Sequence, residues 1–215
     1  MMSSVGTHEE ALAVARKAAE LFRERVKLDR TVYLPDLAKS LNNLGNMLST
    51  VGQREGALSA AQEAAELYRE LATLNRDAYL PDLAGSLNNL GNMLSEVGQR
   101  DAALSAAREA AELYRELATL NRDAYLPDLA GSLNNLGNML SEVGQRDAAL
   151  SAAREAVEIR RELASLNRDA YLPDLASSLN NLGNRLSEVG QRDAALSAAR
   201  EAAELYRELA TLNRD

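Results

Sequence analysis

The chain has 215 residues, of which 46% are hydrophobic, and a formal net charge of −8 at pH 7, so we expect no nucleic-acid partner. It has no cysteine and a single histidine, His8, which excludes disulfides and disfavours metal sites and His-dependent catalysis. No apolar run approaches the ~20 residues of a membrane span and no signal peptide is visible, so we expect a cytoplasmic protein without membrane contacts.

The sequence repeats itself with a period of 46 residues, as the positions of Pro35, Pro81, Pro127 and Pro173 show. The segment SLNNLGNMLSEVG stands at 86–98 and again, letter for letter, at 132–144. The first 31 residues match the second half of a unit. We therefore predict one repeat domain over 1–215, with a half-unit at 7–34 and full units at 35–80, 81–126, 127–172 and 173–215.

The first helix of each unit, which we call helix A, is predicted to open at YLPDLA. Pro81 suits the first helical turn, where its missing N–H costs nothing. Leucines then recur at spacings of three and four, which indicates one apolar stripe. Gly98 is predicted to end the helix in a left-handed conformation.

The second helix, helix B, is predicted to start near Asp101 as its N-cap and to run to about Leu120. The segment NRDAY then links it to the next helix A. Its alanines face inward, and its Arg and Glu side chains face outward, where they can form i,i+3 and i,i+4 pairs. In the half-unit, Thr7 and Glu10 fit a capping box.

A single helical hairpin cannot bury its own apolar face, whereas stacked hairpins can. The sequence therefore predicts an all-α fold, an α-solenoid of stacked antiparallel helix pairs. The count is about nine helices, five of type B and four of type A.

The segment LNNLGNMLSEVGQRDAALSAAREA at 87–110 resembles the tetratricopeptide repeat. Leu90 and Gly91 match the family's Leu–Gly pair, and Ala103 and Ala110 match its small residues in helix B. The unit is longer than the usual ~34 residues, as in the kinesin-light-chain-like branch and in arrays attached to bacterial regulatory NTPases. The resemblance implies a right-handed superhelix and a non-catalytic scaffold for protein–protein interactions, without a cofactor.

In this family, one stripe of helix A lines a concave groove, and here that stripe carries asparagines. An Asn side chain both donates and accepts, so a row of them could bind a peptide main chain, and equivalent pockets would suit a repetitive ligand. Glu96 and its copies add negative charge at the rim, which favours a neutral or basic peptide. The predicted groove residues are Asn42, Asn46, Asn88, Asn92, Asn134, Asn138, Asn180, Asn184 and, replacing a glycine of the same stripe, Lys39.

Three further positions of the repeat have structural interpretations. Asn89 is predicted to form a hydrogen bond between repeats. Met93 shares its stripe; the last unit has Arg185 at that position, and we expect it to tolerate the charge because no helix A follows. Tyr79 and its copies are expected to pack the link between units, with a role as partner anchors as the alternative.

Other functions remain open. The outer helix B at the C-terminal end, with Ala203, Tyr206 and Leu209, could lack a covering helix, which would favour self-association through the terminal helices. The chain could also be a fragment or an engineered version of a longer sensor protein. An enzyme is disfavoured, because no phosphate-binding loop and no nucleophile paired with a base can be recognised.

Overall fold

The computed structural model describes residues 2–212, and the side chains of residues 9–211. The capping box predicted at Thr7 and the lone His8 involve side chains outside that range, although α1 itself begins at Met2. Odd-numbered helices are of type B and even-numbered helices of type A, and over the described residues the all-α prediction is confirmed. The helices are α1 (Met2–Leu28), α2 (Arg30–Thr50), α3 (Arg54–Leu74), α4 (Arg76–Glu96), α5 (Arg100–Leu120), α6 (Arg122–Glu142), α7 (Arg146–Leu166), α8 (Arg168–Glu188) and α9 (Arg192–Leu212).

The chain divides into two compact units, residues 1–113 and 114–215, with the boundary inside α5. In the first unit, α1 packs on α2, α2 on α3 and α3 on α4, and the A helices α2 and α4 also touch. In the second unit, α6 packs on α7, α7 on α8 and α8 on α9, and the A helices α6 and α8 touch in the same way. Each unit therefore stacks helical hairpins so that their A helices are neighbours.

Helix A begins earlier than the sequence predicts. α4 starts at Arg76, which places Pro81 in its second turn and Tyr79 inside the helix. A single extended residue, Asn121, separates α5 from α6, and its side chain accepts a hydrogen bond from the Ala124 N–H at 3.3 Å. The predicted NRDAY link is therefore wrong. The Asn cap starts the next helix at once, and the proline removes only one i→i−4 bond close to the helix start.

The end of helix A agrees with the prediction, whereas helix B begins one residue before its predicted N-cap. Gly98 has a φ of 78°, and the Gln99 N–H donates to the Leu94 carbonyl at 2.9 Å, which is a Schellman motif. α5 begins at Arg100, so Asp101 is its second residue and not its N-cap. The residue after the glycine takes the cap position, while Asp101 still lies where the helix dipole favours a carboxylate.

Helices A and B of one unit approach closely at a glycine. A Cβ added to Gly137 would lie 3.3 Å from the Ala149 carbonyl oxygen, and one added to Gly45 would lie 3.3 Å from the Ala57 carbonyl oxygen. The core around these contacts consists mainly of leucines and alanines, with Leu41, Leu87 and several equivalents almost fully buried. Small residues therefore set the spacing between the two helices, as their positions in the repeat predict.

Charged residues on the outer face of helix B pair between repeats. The Arg69 Nη2 lies 2.7 Å from the Glu109 Oε2, and the Arg115 Nη2 lies 2.7 Å from the Glu155 Oε2. In both pairs the glutamate belongs to the next B helix. We expected pairs within one helix, and for these residues that prediction is wrong. B helices two elements apart lie side by side, and the long guanidinium side chain reaches across the gap. Such exposed pairs contribute at most about 1 kcal/mol each.

Candidate functional site

The contact between neighbouring A helices fixes the orientation of the asparagines. In the α2–α4 seam, which is the contact between these two A helices, the Met93 Cε lies 3.3 Å from the position of a Cβ on Gly45. Nearby, the Asn89 Nδ2 donates to the Asn42 Oδ1 at 3.1 Å. The predicted inter-repeat hydrogen bond of Asn89 is therefore confirmed, and its acceptor is one of the predicted groove residues.

The α6–α8 seam of the second unit has the same arrangement with different partners. The Asn134 Nδ2 donates to the Ser178 Oγ at 2.7 Å, while the Asn134 Oδ1 is buried without a hydrogen-bond partner among the described residues. In this seam, Arg185 stands where α4 has Met93, and its Nη1 donates to the Gly137 carbonyl at 3.4 Å. Asn134 therefore faces the following A helix and Arg185 the preceding one.

The reason we gave for Arg185 is consequently wrong. Its side chain is only 13% exposed, because it packs against α6 and also pairs with Glu188 at 3.0 Å. The stripe of Met93 meets the preceding A helix, so the absence of a following repeat has no bearing on it. Met47 of α2 agrees with this orientation, since no A helix precedes it among the described residues and it is only half-buried.

The predicted groove residues divide into two groups by exposure. One group is exposed and accessible to a ligand: Lys39, Asn92, Asn138, Asn180 and Asn184. The other group is half-buried, and two of its members form the seam hydrogen bonds just described: Asn42, Asn46, Asn88 and Asn134. Asn42 and Asn134 therefore connect neighbouring A helices within their units.

Acidic residues on the same helices were missing from the sequence-based site. Asp82 and Asp128 are exposed and lie one turn before the glycines of the groove stripe, so the i−3 spacing could have identified them. Partial burial raises the pKa of both carboxyl groups, against the opposing charge of Lys39 at Asp82 and of Arg160 at Asp128. With Glu96 at the other end of α4, acidic groups border the exposed asparagine on both sides.

Arg160 is a second residue that the sequence analysis missed. α7 carries it where α3, α5 and α9 have Tyr68, Tyr114 and Tyr206, so this break in the repeat was visible in the sequence. Its side chain reaches between the A helices: Nη1 lies 2.9 Å from the Asp174 Oδ2, and Nη2 lies 3.7 Å from the position of a Cβ on Gly131.

The environment of Arg160 is unusual for a charged group. The residue is 7% exposed, and burial lowers the pKa of its guanidinium, with Asp174, Tyr171 and Asp128 opposing that effect. Although Nη1 is close to Asp174, neither Nη1 nor Nε has a well-aligned hydrogen-bond acceptor among the described residues. The contact with Asp174 is therefore an ion pair without a strong hydrogen bond, because hydrogen-bond strength falls steeply with misalignment.

Clefts in the second unit lie away from the asparagines. One of about 480 Å³ lies among Arg115, Arg122, Ile159 and Glu162, next to the ion pairs of the B helices. Another cleft, of about 370 Å³, lies along the surface of α9 and is lined by Leu196, Arg200 and Glu204. The residues that the structure describes contain no cluster of three or more potential metal ligands. No helix in the same part of the chain is long and apolar enough to cross a membrane.

The repeat pattern matches a known family in every full unit. The tetratricopeptide repeat description matches residues 37–72, 83–118, 129–167 and 175–210, which is more than half of the chain. The chain belongs to the tetratricopeptide repeat family. No curated protein matches it. Proteins of this family are typically non-catalytic scaffolds for protein interactions.

Solved structures of similar repeat proteins support the solenoid fold. A "Podosopora anserina putative kinesin light chain nearly identical TPR-like repeats" structure has 19% identity and a TM-score of 0.66, over 98% of this chain and 96% of that one. BtubC (BKLC) from P. vanneervenii has 20% identity and a TM-score of 0.58, over 97% and 93%. MamA has 18% identity and a TM-score of 0.58, over 90% and 89%. At these identities the likeness shows the fold alone.

Proposed function

We propose that this tetratricopeptide repeat protein is a non-catalytic scaffold that binds an extended peptide or protein segment along the exposed side of its A helices. The observation that carries the proposal is the exposed asparagine at the same place in α4, α6 and α8, namely Asn92, Asn138 and Asn184. An exposed Asn at a helix centre contributes nothing to the core and is a poor helix former. A ligand that uses its donor and acceptor would explain why it recurs.

The half-buried asparagines have a supporting role in this proposal. Asn42 and Asn134 bond to the next A helix within their own units, at 3.1 Å and 2.7 Å. They thereby fix the position of one A helix relative to the next. Lys39 is an exposed cation of the first unit, and its ammonium group would donate to a carbonyl or carboxylate of the bound segment.

Charge and spacing define the ligand class. Asp82 and Asp128, together with Glu96 and its copies, make the exposed side of the A helices acidic, which favours a basic or neutral segment. Packed helices lie ~8–10 Å apart, and an extended chain advances ~3.3 Å per residue. About three ligand residues therefore span one A helix, so a basic residue at every third position would meet an equivalent site on each A helix of a unit.

The test is selection from a displayed library of random 12-residue peptides. We expect the wild type to enrich peptides with Lys or Arg at intervals of three. The triple variant Asn92→Ala/Asn138→Ala/Asn184→Ala should bind them at least tenfold more weakly. The matched control replaces three exposed serines of the B helices, Ser105, Ser151 and Ser197, by alanine, and it should bind like the wild type. Equal binding by both triple variants, or no enrichment at all, would overturn the proposal.

A second candidate is an assembly role through the terminal helices. The observation in its favour is the exposure of Leu196 and Tyr206 on α9, at 50% and 42%. The simplest partner is another copy of the chain. Light scattering over a range of protein concentrations tests this self-association by measuring the molar mass. A monomer at all concentrations would exclude self-association and leave the asparagine surface unaffected.

A further inference from the structure

Unpaired hydrogen-bonding atoms of both kinds lie in the α6–α8 seam. The donors belong to Arg160, whose Nε and Nη1 are buried without a hydrogen-bond partner among the described residues. The acceptor is the Asn134 Oδ1, which is buried and unpaired in the same part of the chain. Native proteins pair most of their buried polar atoms, so unpaired donors and an unpaired acceptor in one seam require an explanation. A ligand group that accepts from Arg160 and donates to Asn134 would provide it.

A glycine opens this place toward the exposed side of α6. A Cβ added to Gly131 would lie 3.7 Å from the Arg160 Nη2, and no other described atom outside α6 comes within 4 Å of that position. Asn134 follows Gly131 by one helical turn, which makes the two residues neighbours on the helix surface. The open space at Gly131, bounded by the Arg160 guanidinium and Asn134, is called the Gly131 recess. In α2 the equivalent position is filled by the side chain of Lys39.

The first unit has neither half of this site. Tyr68 stands at the position of Arg160, so the guanidinium donors are missing. Asn42 is the equivalent of Asn134, and its Oδ1 accepts a hydrogen bond from the Asn89 Nδ2 at 3.1 Å. Packing of two A helices therefore does not require the unpaired atoms of the second unit, because the first unit packs without this arrangement.

The charges around Arg160 favour an uncharged ligand group. The Arg160 Nη1 lies 2.9 Å from the Asp174 Oδ2, and the charge of Asp128 also acts on the guanidinium. An anionic ligand group would add a third negative charge near two carboxylates, whereas a cationic one would approach the guanidinium itself. The Asp174 side chain is 53% exposed, so it can turn toward water and leave Nη1 to a neutral acceptor.

A carboxamide matches both unpaired groups. Its carbonyl oxygen can accept from the Arg160 guanidinium, and its NH₂ group can donate to the Asn134 Oδ1. A hydroxyl group also donates and accepts, but it does so from a single atom. Residues one helical turn apart are separated by roughly 5–6 Å at their Cβ atoms, which a group with two polar atoms spans better.

We propose that the Gly131 recess binds the side-chain carboxamide of a glutamine or asparagine in the ligand segment. This inference rests on the proposed function, since the same segment lies along the exposed side of the A helices. The occupant is a side chain and not the main chain, because Arg160 is only 7% exposed and only a slender group can reach it. Arg160 is thereby a specificity-determining residue, which adds one uncharged position to the basic positions of the ligand.

The experiment starts from the selection of random 12-residue peptides described above, with the full chain as the target. We expect the wild type to enrich Gln or Asn at one fixed position relative to the basic residues. Calorimetry then compares the leading peptide with two versions of it, in which that residue is replaced by leucine or by the corresponding acid. Both replacements should weaken binding to the wild type at least about tenfold, because they leave buried polar groups unpaired.

Two variants of the chain assign this discrimination to Arg160. Arg160→Tyr restores the residue of α3, α5 and α9, and the same peptide replacements should change its affinity by less than about twofold. Tyr68→Phe alters the equivalent position of the first unit and is the matched control, which should discriminate like the wild type. Circular dichroism checks that both variants are folded.

The outcomes separate this inference from the proposed function. Enrichment of basic residues without a Gln or Asn position would overturn the inference alone, and so would tighter binding of the acidic peptide. Unchanged discrimination by Arg160→Tyr would also overturn it, as would loss of all peptide binding by that variant, because Arg160 would then not select a single ligand position. Absence of any enrichment would instead overturn the proposed function, and the inference with it.

Discussion

The two seams between A helices differ more than their near-identical sequences suggest. The α2–α4 seam contains the thioether of Met93 on Gly45 and a hydrogen bond between two asparagines. The α6–α8 seam contains two arginines, Arg160 and Arg185, and in both of them Nε is buried without a partner among the described residues. At the positions of Tyr68 and Met93, the α6–α8 seam therefore has arginines whose hydrogen bonds are incomplete.

Both units nevertheless place a cation near an aspartate of the later A helix. In the first unit the cation is Lys39, on α2, whose charge opposes the rise in the pKa of Asp82, while the charge of Asp82 raises the pKa of the buried Tyr68. In the second unit it is Arg160, from α7, which lies 2.9 Å from Asp174 and passes close to Gly131. Lys39 and Gly131 are equivalent residues of the repeat. The exposed Lys39 of the first unit and the buried Arg160 of the second therefore serve equivalent aspartates. Burying the guanidinium of Arg160 has the larger desolvation cost.

The largest expected effect on stability comes from replacing Tyr68 of the first unit by arginine, which is the residue at the equivalent position, 160, of the second unit. Tyr68→Arg would bury a guanidinium beside Lys39 and would remove a fully packed aromatic ring. Burial raises the pKa of Tyr68, which shows that this site disfavours a charged group, whereas Asp82, which raises that pKa further by repelling the phenolate, would attract a guanidinium and offset part of the cost. We expect the free energy of unfolding to fall by about 3 kcal/mol. Urea unfolding, with amide exchange of α3 and α4, measures it.

Tyr68→Phe is the control for this substitution, because it keeps the ring and removes only the hydroxyl group. It should change the free energy of unfolding by less than about 1.5 kcal/mol. A Tyr68→Arg variant as stable as the wild type would mean that the first seam accommodates an arginine as easily as the second, and the comparison between the seams would fail.

The reverse exchange has a smaller and opposite effect. Arg160→Tyr restores the residue of the other repeats and removes a buried charge whose hydrogen bonds are incomplete. Asp174 is 53% exposed in its side chain, so it can be solvated after its partner is lost. We expect a gain of about 1–2 kcal/mol in the free energy of unfolding, measured by urea titration. A loss of stability would show that the Arg160–Asp174 pair outweighs the cost of burying it.

Sequence reasoning predicted the elements of this fold well because each rests on local chemistry that recurs. The Schellman glycine Gly98 and the close approach at Gly137 follow from residue size and backbone freedom. The start of helix A was misplaced because Pro81 was assigned to the first turn, whereas Asn75 already caps the helix ahead of it. A proline in the second turn costs one hydrogen bond, which a capped and well-packed helix tolerates.

The candidate site was less predictable, because its residues depend on which A helix they face. A helical stripe identifies Asn88 and Asn92 as neighbours, but it does not show that Asn42 bonds to α4 while Asn92 is exposed. For the same reason, the sequence did not show that the stripe of Met93 faces the preceding A helix and not the following one. Arg160 was visible as a break in the repeat, but only packing shows that its side chain crosses from a B helix to the A-helix seam.

The smallest expected effect on stability concerns two aspartates, Asp128 near Arg160 and Asp82 near Lys39. Partial burial raises the pKa of Asp128 and Asp82 despite Arg160 and Lys39, so the folded protein binds their protons more readily than the unfolded chain. Their contribution therefore becomes more favourable as the pH falls from 7 through the raised pKa, and it is complete below the unfolded pKa of about 4. Asp128→Asn should gain up to about 0.5 kcal/mol at pH 7, because solvent screens this exposed carboxylate, and that gain should vanish near pH 4.

Asp82→Asn is the matched variant in the first unit and should show the same sign. Thermal unfolding of both variants and the wild type between pH 4 and pH 7 measures the difference. If Asp128→Asn loses stability at pH 7 while Asp82→Asn gains it, then the attraction between Arg160 and Asp128 exceeds the desolvation of that carboxylate. In that case the buried arginine would stabilise its neighbouring aspartate more than the exposed Lys39 does.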